Sequence, residues 1–110
     1  MRKIEEELRD AINLKRPFSK GNTVFHRMAN TDYGWELVLH GNPIATFDAG
    51  SQYYPIPKYI SFAGWPTKTT ASRLNSLSGV CVNIRKGVPY LNGREIEADG
   101  WWSPCNLNNN

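Results

Sequence analysis

Residues Trp35-Glu36-Leu37-Val38-Leu39-His40 alternate in character and set Trp35, Leu37 and Leu39 on one side of an extended chain. Gly41-Asn42-Pro43 follows at once, and Ile44-Ala45-Thr46-Phe47 supplies a second extended run. Gly, Asn and Pro at such a break predict a tight connection between two strands. A chain with this segment at its centre is committed to an antiparallel sheet with one buried face.

The rest of the chain can be read around that pair. Thr23 to Met28 mixes β-branched and aromatic residues, and Tyr59 to Phe62 is a further strand candidate. The prolines of Pro55-Ile56-Pro57 exclude a regular strand just before it. Val80 to Ile84, the turn Arg85-Lys86-Gly87 and the return Val88 to Leu91 predict a hairpin. Asn92-Gly93 predicts another, since both residues tolerate positive φ.

Two helices complete the reading. Ile4, Leu8, Ala11 and Ile12 recur at helical spacing, so residues 3–15 form an amphipathic helix ended by Pro17, with Arg2-Lys3 and Glu5-Glu6-Glu7 on its solvated face. A second helix spans about residues 68–77 and stops at Ser78-Gly79. The fold class is α+β: a small antiparallel sheet, an N-terminal amphipathic helix and an inserted second helix. Leu37, Leu39, Leu74, Leu77, Val82 and Ile84 are the expected core. With 110 residues the chain supports one compact core, expected over residues 1–105, with 106–110 as a disordered tail.

Charge narrows the function classes. From Ala49 to Arg94 there is no Asp or Glu, while Lys58, Lys68, Arg73, Arg85, Lys86 and Arg94 all fall inside, so the whole net charge of +3 originates there. Such a region attracts polyanions through a long-range, salt-dependent field; cations spread over different faces would merely solvate the domain. No apolar run reaches the length of a membrane helix and no signal-peptide pattern opens the chain, so a cytosolic location is expected. Reduced Cys81 and Cys105 follow from that, with Cys81 between Val80 and Val82 expected to be a buried apolar side chain.

The segment Gly64-Trp65-Pro66-Thr67-Lys68-Thr69-Thr70-Ala71-Ser72-Arg73-Leu74 reads as a helix entrance carrying cations and hydroxyls. One of Thr67, Thr69 and Thr70 is the expected N-cap, and the others, with Lys68, would seat a phosphate at the positive helix end. The Gly-rich pattern of a nucleotide-hydrolysing loop is absent. Lys68 or Thr69 and Arg73 are expected to share an exposed face while Leu74 and Leu77 turn inward. Lys68 and Arg73 are further expected to cluster with the Arg85-Lys86 turn. Trp65 is either an exposed stacking platform or a buried staple under the helix entrance. Tyr53, Tyr54 and Tyr59 add flat surfaces that suit single-stranded nucleic acid or a protein interface.

Catalysis and metal binding have little support. His26, His40, Cys81 and Cys105 form no close ligand pair, and no nucleophile signature is present. Neither catalytic residues, nor a metal, nor a cofactor are expected, and the chain is read as a non-enzymatic binding module.

Leu39-His40-Gly41-Asn42-Pro43-Ile44-Ala45 together with the block from Gly64 to Leu77 resembles short accessory proteins of tailed bacteriophages and mobile elements. The resemblance implies expression in an infected bacterial cytoplasm. It also implies a role in coating nucleic acid or in inhibiting a host nuclease or defence complex, in the manner of an anti-CRISPR protein. Many such inhibitors are acidic, and the basic middle of this chain departs from them. The expected partner is nucleic acid, held through its phosphates by Lys68, Thr69, Thr70, Arg73, Arg85 and Lys86, with Tyr54, Tyr59 and Trp65 as aromatic contacts. A host protein complex is the alternative partner, and no membrane is expected.

Overall fold

A computed structural model describes residues 2–104. Helix α1 (Lys3–Asn13) is followed by β1 (Phe18–Lys20), β2 (Thr23–Arg27), β3 (Gly34–Leu39), β4 (Asn42–Asp48) and β5 (Tyr59–Ile60). Helix α2 (Lys68–Asn75) then leads into β6 (Val82–Arg85), β7 (Val88–Leu91) and β8 (Arg94–Glu95). The architecture is α+β, as expected, but the strands divide into two antiparallel sheets: β1 to β5 in sequential order, and β6 to β8 in sequential order. The break falls where α2 is inserted. None of the helices among the described residues is long and apolar enough to cross a membrane. The expected tail 106–110 and Cys105 lie outside the described residues.

The central alternation behaves as read: Trp35, Leu37 and Leu39 are buried on β3, while Glu36 and Val38 are half-buried on its other face. Phe25 stacks on Trp35 with centroids 4.7 Å apart and meets Phe47 edge-on at 5.5 Å, which joins β2, β3 and β4 into one apolar layer. Leu8 and Ile12 from α1, Leu74 and Leu77 at α2, and Val82 and Leu91 from the second sheet close the same core. Ile84, expected inside, is only partly buried against it.

Tight turns set the register. Leu39 pairs with Asn42, Arg85 with Val88 and Leu91 with Arg94, leaving the two-residue loops His40-Gly41, Lys86-Gly87 and Asn92-Gly93. In each loop both residues have positive φ, the geometry that matches strand twist and that Gly accepts without strain. Strand β1, which the sequence did not signal, is a three-residue edge pairing Phe18 with Phe25. Cys81 is exposed, contrary to expectation, because Val80 and Val82 on either side point inward and alternation turns the residue between them out.

Arg73 requires the largest correction. It is 4 % exposed and belongs to no outward face of α2. Its Nη1 donates to Glu5 Oε2 at 2.8 Å and its Nε to Thr23 Oγ1 at 3.0 Å. Glu5, expected on the solvated side of α1, is buried beside Leu8 and Ile12, while Ile4 is half-buried. Its Oε2 also accepts from Ser72 Oγ at 2.5 Å, and Oε1 takes the Arg2 backbone N–H at 3.3 Å. Burial pushes the Glu5 carboxyl up, but the bonds from Ser72, Arg73 and Arg2 and the Arg73 charge outweigh it and hold the acid below the usual carboxylate range. The pair therefore locks α1 to α2, and the bond to Thr23 ties both to β2.

Candidate nucleic-acid interface

A cleft of about 420 Å³ opens between the β3–β4 turn and the entrance to α2. Its floor is apolar: Leu39, Ile44 and Phe62 are each nearly or wholly buried. Its rim carries His40 and Asn42 on one side and Trp65, Thr67, Thr69 and Thr70 on the other, with no carboxylate among the lining residues. Both stretches of the bacteriophage resemblance meet here, although 18 residues, those of strand β5 among them, separate Ala45 from Gly64 in the chain.

Local chemistry builds the Trp65 side. Phe62 goes inward, and Ala63 (φ 54°) and Gly64 (φ 82°) then reverse the chain, with Trp65 N–H donating to Phe62 O at 2.9 Å. Gly64 N–H donates to Ala98 O at 2.9 Å, and Ala63 N–H to Ser61 Oγ at 3.0 Å, so the turn is held from both sides. An Ala in the left-handed region costs about 1 kcal/mol or more, which makes this turn a place where the fold tolerates strain. The outcome is a Trp65 side chain 68 % exposed, which excludes the buried staple.

Thr67 is the N-cap: its Oγ1 accepts from Thr70 N–H at 3.2 Å and lies 3.0 Å from Thr70 Oγ1. Thr70 is thereby buried and committed to the cap, while Thr69 stays half-exposed at the rim. Lys68, the first helical residue, is exposed, and no acid occupies the first turn. A cation beside the positive end of a helix forgoes the stabilisation an acid would give, and both charges favour an anion from solvent.

The opposite rim is tied to the buried lock. Thr23 Oγ1, which accepts from Arg73, donates to Asn22 Oδ1 at 2.9 Å. The Asn22 amide nitrogen then lies 3.1 Å from His40 Nε2, and His40 N–H donates to Asn22 O at 2.9 Å. A continuous chain of hydrogen bonds thus runs from Glu5 through Arg73, Thr23 and Asn22 to the cleft wall.

The expected contacts are only partly brought together. Trp65, Thr69 and Thr70 line the cleft; Lys68 does not, and stands exposed in the first turn of α2 between Thr67 and Thr69, which do. Arg73 is withdrawn because its guanidinium is buried on Glu5 and Thr23. Arg85 and Lys86 are exposed at the β6–β7 turn, where the Arg85 guanidinium lies 5.5 Å over the Tyr90 ring, and neither lines the cleft. Tyr54 is half-buried, edge-on to Phe47, with its hydroxyl donating to Ile12 O and Lys15 Nζ 5.0 Å over its ring, so it is a packing residue. Burial pushes its phenol up to about 12. Tyr59 is exposed but lines two other hollows. His40, Asn42 and Phe62 join the cleft beyond the expected site residues; for His40 and Asn42 the signal in the sequence is the Leu39–Ala45 stretch, and Phe62 has none. His26 faces solvent and pairs with Glu36 at 2.8 Å.

Residues 1–107 match the family model described as Kyanoviridae Gp96 protein. No curated protein and no solved structure matches the chain.

Proposed function

The chain belongs to the Kyanoviridae Gp96 protein family, a phage family, and we propose that it is a non-enzymatic accessory module that binds single-stranded nucleic acid in the bacterial host cytoplasm. The observation that carries the reading is Trp65: a large exposed indole at the mouth of an acid-free, apolar-floored cleft, one residue from the threonine-capped entrance of α2. A base stacks on the indole over the apolar floor, and its phosphate meets Thr69 and Lys68 at the positive helix end. Asn42 and His40 offer amide and imidazole groups to the base edge. A duplex keeps its bases paired and stacked, so the cleft favours a single strand. Arg85 and Lys86 extend the positive field without sharing the cleft.

Fluorescence anisotropy with labelled single- and double-stranded oligonucleotides at two salt concentrations tests this. Single strands should bind more tightly, Trp65→Ala should cost about 1–3 kcal/mol, and Lys68→Ala should lower the salt slope by about 0.7. Absence of binding to any oligonucleotide at low salt would sink the reading.

A further inference from the structure

The hydrogen bonds that reach the cleft from Arg73 run in one direction, and that direction ends on His40. A guanidinium only donates, so Arg73 Nε–H is the donor to Thr23 Oγ1 at 3.0 Å. Thr23 is wholly buried, and its one hydroxyl proton goes to Asn22 Oδ1 at 2.9 Å. The Asn22 amide is thereby oriented with its oxygen toward Thr23 and its nitrogen toward His40, whose Nε2 lies 3.1 Å away. An amide nitrogen donates and does not accept. Nε2 therefore offers its lone pair, and the proton of the neutral ring resides on Nδ1. Turning the Asn22 amide over would leave the buried Thr23 proton without that acceptor, so the orientation is set from the core.

The chain's two histidines are a contrast in this respect. His26 Nε2 lies 2.8 Å from Glu36 Oε2, and a carboxylate only accepts, so there Nε2 carries the proton. The backbone of His40 is held as well: its N–H donates to Asn22 O at 2.9 Å, and its carbonyl accepts from the Asn42 amide at 3.4 Å. Its Nδ1 has no hydrogen-bond partner among the described residues, and the side chain lines the cleft.

We infer that Arg73, Thr23 and Asn22 are positioning residues that fix His40 as its Nδ1–H tautomer, and that His40 donates this proton in a hydrogen bond to a carbonyl oxygen or ring nitrogen of the base in the cleft. The identity of the ligand rests on the single-strand reading above; the tautomer does not. A donor fixed in advance has no reorganisation to undergo when the ligand arrives. It also discriminates, because a base amino group turned toward it would set donor against donor and leave both unpaired.

The test begins on the free chain. Ring ¹⁵N resonances of both histidines, recorded at alkaline pH with the rings neutral, report which nitrogen carries the proton. His40 should show a protonated Nδ1 and His26 a protonated Nε2. Thr23→Val should release His40 into a mixture of the two forms, and Asn22→Asp, whose carboxylate accepts at both ends, should move the proton to Nε2. Neither change should alter His26, and thermal melts establish that each variant is folded. The second arm adds a thymidine oligonucleotide, whose base edge carries carbonyl oxygens, at low salt. The His40 Nδ1 signal should shift to saturation, and His40→Phe, which keeps a flat ring without the donor, should bind about fivefold more weakly. A wild-type His40 protonated on Nε2, or a tautomer unchanged in both Thr23→Val and Asn22→Asp, would overturn the inference. Oligonucleotide binding with Nδ1 unmoved and His40→Phe unaffected would overturn the donor role alone and leave the Trp65 reading intact. Absence of binding would overturn the nucleic-acid reading and the donor role together.

Discussion

Helix α2 places two cations five residues apart in opposite circumstances. Lys68 stands exposed in the first turn, beside a threonine cap and an exposed Trp65, with no acid nearby in its turn. Arg73, in the last turn, is buried on Glu5 of the other helix and on Thr23 of β2. Both come from the same acid-free stretch of sequence, and charge density alone does not distinguish them. Position on the helix does: Thr70, Arg73, Leu74 and Leu77 follow the i, i+3, i+4, i+7 pattern of an inward face, and Lys68 falls outside it. One end of the helix is an anchor and the other stands open to solvent.

The sharpest way to break that contrast is to truncate each cation. Arg73→Ala leaves the Glu5 carboxylate buried without its partner and should cost about 3–5 kcal/mol in urea denaturation. Lys68→Ala should stay within about 0.5 kcal/mol of wild type. Equal losses in the two variants would contradict the division.

The core beneath the anchor comes next. Leu74→Ala, at a side chain wholly buried, should cost about 2–5 kcal/mol by the same measurement. Acid should act on the anchor alone. The Glu5 carboxyl is held low in the fold, so its contribution is complete above its unfolded value of about 4.3 and fades as pH falls through the lower folded one. Stability measured from pH 6 downward should therefore fall less steeply in Glu5→Gln than in wild type, whereas Lys68→Ala should follow the wild-type profile. A smaller loss than that of Arg73→Ala or Leu74→Ala belongs to the cap: Thr67→Ala should remove about 1 kcal/mol, by loss of the Thr70 N–H acceptor.

The sequence made the fold legible wherever its pattern was local. The β3 alternation, the Asn92-Gly93 turn and the α2 entrance each announce themselves within a few residues, and each forms as read. What escaped was non-local. Glu5 and Arg73 are 68 residues apart, and nothing in either neighbourhood names the other. The split into two sheets depends on where α2 packs, and the β1 edge on its pairing with β2 and its contact with α1, none of which a window of residues encodes. The cleft was half legible: Trp65, Thr69 and Thr70 came from the helix entrance, while His40 and Asn42 join them only because the β3–β4 turn folds against that entrance.

Trp65 gives the most direct test of the central claim, that the entrance of α2 is a nucleic-acid contact rather than a second anchor. Indole N–H resonances of the chain's four tryptophans can be followed by ¹⁵N-resolved NMR as a single-stranded oligonucleotide is added at low salt. The account predicts a saturable shift of the exposed Trp65 signal with the buried Trp35 signal unmoved. A Trp65 signal that stays in place throughout the titration, or shifts confined to Trp101 and Trp102, would contradict it.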